Sequence, residues 1–395
     1  MIRNSFLIIL IFMLHTSDTI AQKPALAVSW KEIALIPSSD SIESTGYAGA
    51  INGVNNNVLI VAGGSNFPDK KPWEGGKKAY SDKIFVLEKK GESFIWNKNV
   101  KSILPEPIAY CGSTSTSSGI VYVGGENEKG ISNKCFLLKW NAEKNEVEIK
   151  PLPDLPLALT NIAVTHIDNV VYALGGDELK HSSNHFFSLD LNEENSTWKT
   201  LPNLPIALAN TTAIAQNGKS GKEIFIIGGR SKTSSGISGL QNTTFAFDLQ
   251  KQQWRKCADI SDGVHITNLS AASGVALGEN EILITGGDNG KIFHKIETLI
   301  SAIAVAKTKE EKSKLTKEKN NLSIHHRGFD KSLLLYNTIN NAWTKIGVLP
   351  FPAHVTTTDV KWGNEIIVSN GEIKPGVRTP YVMMGELSEK SDAKK

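Results

Sequence analysis

The stretch Asn370-Gly371-Glu372-Ile373-Lys374-Pro375-Gly376-Val377-Arg378-Thr379 carries a carboxylate and a guanidinium six positions apart, with a proline and a glycine between them. A carboxylate held near a hydroxyl can act as a general base. A guanidinium can hold a ligand carboxylate through two parallel hydrogen bonds. By residue type alone, Glu372 and Arg378 make a surface ion pair equally well, a contact worth at most about 1 kcal/mol. The chain around them sets the pair apart. The apolar strand Glu365-Ile366-Ile367-Val368-Ser369 leads into Asn-Gly-Glu, whereas five other strands end in a plain Gly-Gly.

Those five strands form a repeat. They are Val58 to Ala62, Ile120 to Val123, Val170 to Leu174, Ile224 to Ile227 and Ile282 to Thr285, each followed by Gly-Gly. The second glycines lie 61, 51, 53 and 58 residues apart, and 84 separate Gly287 from Gly371. A loop, another apolar strand, a Trp (Trp96, Trp140, Trp198, Trp254, Trp343) and a Leu/Pro turn follow. A unit of roughly 50 residues with a double glycine and a late Trp resembles the kelch repeat, whose units are four-stranded blades of a β-propeller. Glycine suits a turn where the backbone must pass closely, and the Trp buries a flat surface between blades. The last unit lacks its Trp, and Ser29-Trp30-Lys31-Glu32-Ile33 supplies it from the other terminus. The expected fold is therefore all-β: one six-bladed propeller over residues 22–395, closed by an N-terminal strand in the last blade, which leaves no open edge.

The long fifth interval reads as a helical insertion. Ile292, Ile296, Leu299, Ile300 and Ile303 recur at helical spacing, and Lys307 to Lys319 is rich in Lys and Glu. This predicts a helical insertion in blade five over about residues 291–320, its charge run a solvated face. Arg3, the apolar run Phe6 to Leu14 and the small-residue site Thr19-Ile20-Ala21 read as a cleavable signal peptide over residues 1–21, implying a periplasmic or secreted protein without stable membrane insertion. The 43 Lys+Arg against 40 Asp+Glu give a net charge of +3, which argues against nucleic acid as a partner. Cys111, Cys135 and Cys257 are odd in number and make no disulfide framework. His181 with His185, and His325-His326-Arg327, are not placed to share a metal: the first pair lies off any clear helix, and neighbouring residues of an extended segment point to opposite faces. No metal and no cofactor are expected.

The mature chain resembles the N-acetylneuraminate epimerase (sialic acid mutarotase) family, a six-bladed kelch propeller with a helical insertion in one blade. The decapeptide around Glu372 carries most of the resemblance. Tyr110 to Glu126, Gly63 to Ser81 and the insertion after Gly286-Gly287 carry the rest. In that family the motif blade sits mid-chain. Here it comes last and the blades that should follow it come first, so the chain reads as a cyclically permuted branch. A closed ring tolerates this, because its termini can lie between any two adjacent strands.

The resemblance implies an isomerase that interconverts the α and β anomers of a small-molecule sugar acid, N-acetylneuraminic acid. Ring opening needs only a proton removed from the anomeric hydroxyl and one given to the ring oxygen. It implies Glu372 as the base and Arg378 as the ligand-binding arginine. Loops equivalent to that of Glu372 carry Asn66, Glu126, Asp177, Arg230 and Asp288. Of these, Arg230, Glu126 and Asn66 are further substrate-binding candidates, with Arg230 the best second cation. The alternative is a non-catalytic kelch module that binds a glycan or protein. A sialidase would show repeated Ser-x-Asp-x-Gly-x-Thr-Trp motifs and an arginine cluster, which this sequence lacks. Oligomeric state is not legible.

Overall fold

A computed structural model describes residues 26–38 and 44–389. The expected signal segment, residues 1–21, lies outside the described residues. Six antiparallel four-stranded sheets follow one another along the chain. Blade one is Ile51–Asn55, Val58–Ala62, Ile84–Lys90 and Ser93–Trp96. Blades two to five repeat this order, and blade six combines Val360–Trp362, Glu365–Ser369 and Tyr381–Glu389 with Leu26–Leu35 from the N-terminal end. Leu26–Leu35 pairs with Tyr381–Glu389 along its length, with one irregularity between Glu32 and Ala34.

Strand chemistry follows position in the blade. First strands carry more small and polar residues than second strands, most of all in Gly112-Ser113-Thr114-Ser115-Thr116, because six of them converge on one axis. Second strands are aliphatic and buried on both faces, as in Val58–Ala62. One apolar cluster fills each blade junction, including that between blades six and one, where Ile36, Leu59 and Val61 meet Trp362, Ile367 and Met384. The late tryptophans also tie blades together. Trp96, Trp198, Trp254 and Trp343 donate their indole N–H to carbonyls of Leu35, Pro153, Pro202 and Ala258 in the preceding connection. Trp140 differs: it ends a third strand, Cys135–Asn141, and is fully packed between blades one and two.

Around the axis runs a closed ring of backbone hydrogen bonds. Gly49 N donates to Thr356 O, Tyr110 N to Gly49 O, Asn161 N to Tyr110 O, Asn210 N to Asn161 O, Ala271 N to Asn210 O and Thr356 N to Ala271 O, at 2.7 to 3.3 Å. All six residues hold left-handed φ between 51° and 66°, five of them without being glycine. Each bond crosses from one blade to the next, so the sixfold arrangement is read directly from the backbone. The ring lines one end of a central cavity of about 480 Å³.

The insertion consists of two helices, α1 (Lys291–Val305) and α2 (Lys309–Ile324). It therefore runs four residues past the expected end at about 320. Thr308 caps α2, its hydroxyl accepting from Glu311 N, while the Glu311 carboxylate accepts from Lys307 N. Helix α1 docks on blade four, where Glu297 accepts from Ser238 N and Oγ at 2.7 and 2.9 Å. Helix α2 packs against the turn Pro72–Glu74 of blade one. The insertion thus spans the loops of blades four, five, six and one. Among the described residues no helix is long and apolar enough to cross a membrane.

Candidate functional site

The Gly-Gly pairs place one residue per blade beside the residue that precedes the axial ring. In each plain pair both glycines have positive φ. A Cβ on the first would fall 2.1 to 2.5 Å from a carbonyl oxygen of the next blade, so no side chain fits there. The following residue then forms an isolated bridge with the residue before the hydrogen-bonded ring. These bridges are Ala48 with Ser65, Ala109 with Glu126, Thr160 with Asp177, Ala209 with Arg230, Ser270 with Asp288 and Val355 with Glu372. Six equivalent positions therefore hold Ser65, Glu126, Asp177, Arg230, Asp288 and Glu372. Asn66 lies one residue beyond its equivalent position, and its amide reaches Thr45 Oγ1 and the Gly46 carbonyl at 3.3 Å.

In blade six the first glycine is replaced by Asn370, still left-handed at φ 50° and fully buried. Its amide donates to Asn52 Oδ1 in blade one at 2.7 Å and to Ser369 Oγ at 3.0 Å. Asn52 also accepts from Ser369 Oγ and donates to Thr357 Oγ1. The exceptional Asn is thus an anchor that fixes the turn leading into Glu372.

Beyond it, Glu372–Lys374 and Val377–Arg378 form a two-stranded ribbon, with Glu372 opposite Arg378. Glu372 Oε1 accepts from Gly376 N at 2.6 Å and from Arg378 Nη1 at 2.7 Å. Among the described residues its Oε2 makes no bond. The two side chains are 18 % and 6 % exposed. Gly376 is left-handed at φ 81° and passes against Pro72 and Trp73, leaving no space for a Cβ. Arg378 lies 4.8 Å above the Phe67 ring and donates to Tyr110 Oη at 3.4 Å. Among the described residues its Nε is buried without a partner.

Two residues from the stretches that carry the family resemblance, neither of them expected as a site residue, complete the cluster. Tyr110 belongs to the axial ring, and its hydroxyl accepts from Ser65 Oγ at 3.0 Å. Lys78 sits over the Tyr80 and Tyr110 rings at 4.9 and 5.0 Å and pairs with Glu126 Oε1 at 2.9 Å, while the Tyr80 hydroxyl donates to that same oxygen at 2.8 Å. Burial works against the Lys78 charge, but Tyr110, Tyr80 and Glu126 outweigh it and the pKa is raised. Two cations therefore converge on one tyrosine, and one of them has an unpaired N–H. That is the polarity an anionic ligand needs.

The expected second cation is placed differently. Arg230 stands at the mouth, but both its terminal nitrogens bind Asp177, which is also held by Asn161 and Ser182. Asp288 remains. Its Oδ1 accepts from Gly290 N at 2.7 Å, and among the described residues it is the one carboxylate of the six positions with no ion pair. Burial raises its pKa.

A sequence model of the N-acetylneuraminate epimerase family matches residues 14–147 and 152–395. The N-acetylneuraminate epimerase of Salmonella typhimurium (strain LT2) is 30% identical over 234 residues, 58% of this chain and 57% of that protein. That of Brucella melitensis is 30% identical over 244 residues, 60% and 59% of the two chains. That of Haemophilus influenzae (strain 86-028NP) is 28% identical over 242 residues, 60% of each. Aligned this way, the chain spans less than two thirds of these relatives. A solved structure described as "Structure of YjhT" superposes with a TM-score of 0.60 at 13% identity, over 90% of this chain and 99% of that one, which supports the propeller fold. The family model covers all six blades apart from residues 148–151, and the chain belongs to the N-acetylneuraminate epimerase family.

Proposed function

We propose that this protein is a mutarotase that interconverts the α and β anomers of N-acetylneuraminic acid. The observation that carries the proposal is the Glu372–Arg378–Tyr110 cluster at the mouth of the propeller. Arg378, with Lys78 across the Tyr110 ring, suits the sugar's own carboxylate. The unbonded Oε2 of Glu372 suits proton transfer at the anomeric hydroxyl. Arg378 thus has two roles: it orients Glu372 through Nη1 and supplies positive charge beside the site for the ligand's carboxylate. Opening and reclosing the ring needs only proton transfers, which carboxylates supply. Arg230 and Glu126 would act at one remove, Glu126 by holding Lys78 and Tyr80, and Asn66 by bracing the loop that carries Phe67. The family match breaks inside the fourth strand of blade two, Glu146–Leu152. Each of these relatives aligns along only part of its length. A ring of blades entered at a different point would give both results. Export through residues 1–21 would place the protein in the periplasm or outside the cell.

The experiment is Glu372→Gln. It keeps the side chain's shape and its acceptor for Gly376 N but removes the base. Catalysed anomer exchange should fall by about 100-fold or more, with binding of the sugar acid retained by calorimetry. Exchange at the native rate in that variant would remove Glu372 from the chemistry. Sugar binding by native protein that catalyses no exchange would favour a non-catalytic binding module.

A further inference from the structure

Mutarotation moves a proton at two oxygens, the anomeric hydroxyl and the ring oxygen, which project from the same carbon in different directions and suit two separate groups. Glu372 serves one. The structure offers a second on the neighbouring blade. Asp288 and Glu372 occupy the same position in blades five and six, each bridged to the residue before the axial ring. The end of the insertion folds back between them. Asp330 N donates to Gly287 O at 3.0 Å, which ties the segment beside Asp288. A Cβ on Gly328 would lie 3.5 Å from Ile373 O, which places the same segment against the residue after Glu372. His326 rides on this segment, its Nδ1 accepting from Gly328 N at 3.1 Å and its ring 5.2 Å from Phe329.

We propose that Asp288 is the second proton-transfer residue of the site, the acid that protonates the sugar ring oxygen, and that His326, on the segment tied beside it, sets its electrostatic surroundings. This deepens the mutarotase reading and rests on it. Asp288 is half-buried, and unlike Glu126, Asp177 and Glu372 it has no ion pair among the described residues to hold it ionised. The titratable groups whose charge acts on it are His326 and Glu372, and those acting on His326 are Asp288, Glu372 and Lys374. Burial lowers the His326 pKa and raises that of Asp288, so around neutral pH the imidazole gives little charge compensation and the carboxyl keeps its proton to higher pH than an exposed one.

In opening, Glu372 takes the proton of the anomeric hydroxyl, and that oxygen's electron pair forms the keto group. The bond from the anomeric carbon to the ring oxygen breaks. Its electron pair stays on the ring oxygen, which takes the Asp288 proton. After rotation about the bond to the keto carbon, the chain hydroxyl attacks the other face. Asp288 recovers its proton from that hydroxyl, and Glu372 returns its own to the new anomeric oxygen. Both residues end as they began.

The test is Asp288→Asn, which retains an acceptor for Gly290 N, together with His326→Arg, each assayed as pH profiles of catalysed exchange in N-acetylneuraminic acid. Asp288→Asn should lower kcat about 100-fold with KM within a few-fold of native, and should abolish the alkaline fall in activity that marks ionisation of the acid. His326→Arg sets a permanent cation beside Asp288 and should move that fall to lower pH. The shift of a pH limb is a readout that structural damage alone would not produce. Native kcat and an unchanged alkaline limb in Asp288→Asn would overturn the proposal while leaving the mutarotase reading standing. If Asp288→Asn does not fold, a limb in His326→Arg that stays where native has it would overturn the proposal equally. Native protein that catalyses no exchange would defeat both.

Discussion

The chemistry of the site depends on how Arg378 divides its donors. Nη1 goes to Glu372, Nη2 to Tyr110, and Nε is buried and unpaired, with the guanidinium plane over Phe67. A lysine offers one compact charge and cannot satisfy three directions at once. Arg378→Lys should therefore raise KM for the sugar acid by about 10-fold or more, the equivalent of one lost charge-assisted bond, with a smaller change in kcat. Steady-state kinetics decide it, and an unchanged KM would place the ligand carboxylate elsewhere. The decapeptide made Glu372 and Arg378 legible in the sequence because both reside in one short ribbon. Tyr110 is 268 positions from Arg378, and Lys78 is 48 from Glu126. Tyr110 and Lys78 both lie in stretches that carry the family resemblance, but their place in the site was not legible, because contacts across an axis are made by closure of the ring and not by spacing along a strand.

The Gly-Gly repeat was readable for a reason of backbone geometry. At the first glycine of each plain pair, φ is positive and a carbonyl of the next blade fills the space of a Cβ. The sequence has little freedom there, so the period stands out. The sixth repeat differs because Asn370 uses its side chain across the junction to blade one. Asn370→Gly would restore the common pattern and remove the amide that donates to Asn52 Oδ1, leaving that oxygen one bond poorer inside a buried network. The expected cost is about 1–3 kcal/mol, read in denaturant unfolding, together with a lower kcat as the Glu372 turn loosens. Equal stability would show that the network gives nothing beyond the glycine turn. The insertion was legible as helix but not as a site element. Its apolar spacing points α1 at the protein, whereas the placement of His326 depends on how the segment after α2 returns to Gly287.

At the scale of the whole ring, closure is held by apolar junctions, indole bonds and the axial hydrogen-bonded circle, and one buried acid works against it. Asp359 lies at the junction of blades five and six. Its N–H donates to Ser273 Oγ, its Oδ2 accepts from Thr285 Oγ1, and its Oδ1 is buried without a partner. Burial pushes its pKa up to about 7. An acid whose folded pKa exceeds its unfolded value near 4 binds a proton more readily when folded. Stability is thus undiminished below pH 4, falls as pH rises from about 4 to 7, and stays low above that. Asp359→Asn, neutral throughout, should melt higher than native at pH 8 by the equivalent of up to roughly 4 kcal/mol, with the gap closing toward pH 4. Melting curves across that range test it, and a gap that is the same at both ends would mean that Asp359 does not titrate in this window.

Anomer exchange itself is the most direct measurement. Crystalline N-acetylneuraminic acid, freshly dissolved, approaches its anomeric equilibrium slowly enough to follow by proton NMR with and without the protein. If the mouth of the propeller performs proton transfer at the anomeric centre, equilibration accelerates in proportion to protein concentration, the final anomer ratio is unchanged, and Glu372→Gln abolishes the acceleration. Equilibration at the protein-free rate, at protein concentrations that saturate sugar binding, would contradict it.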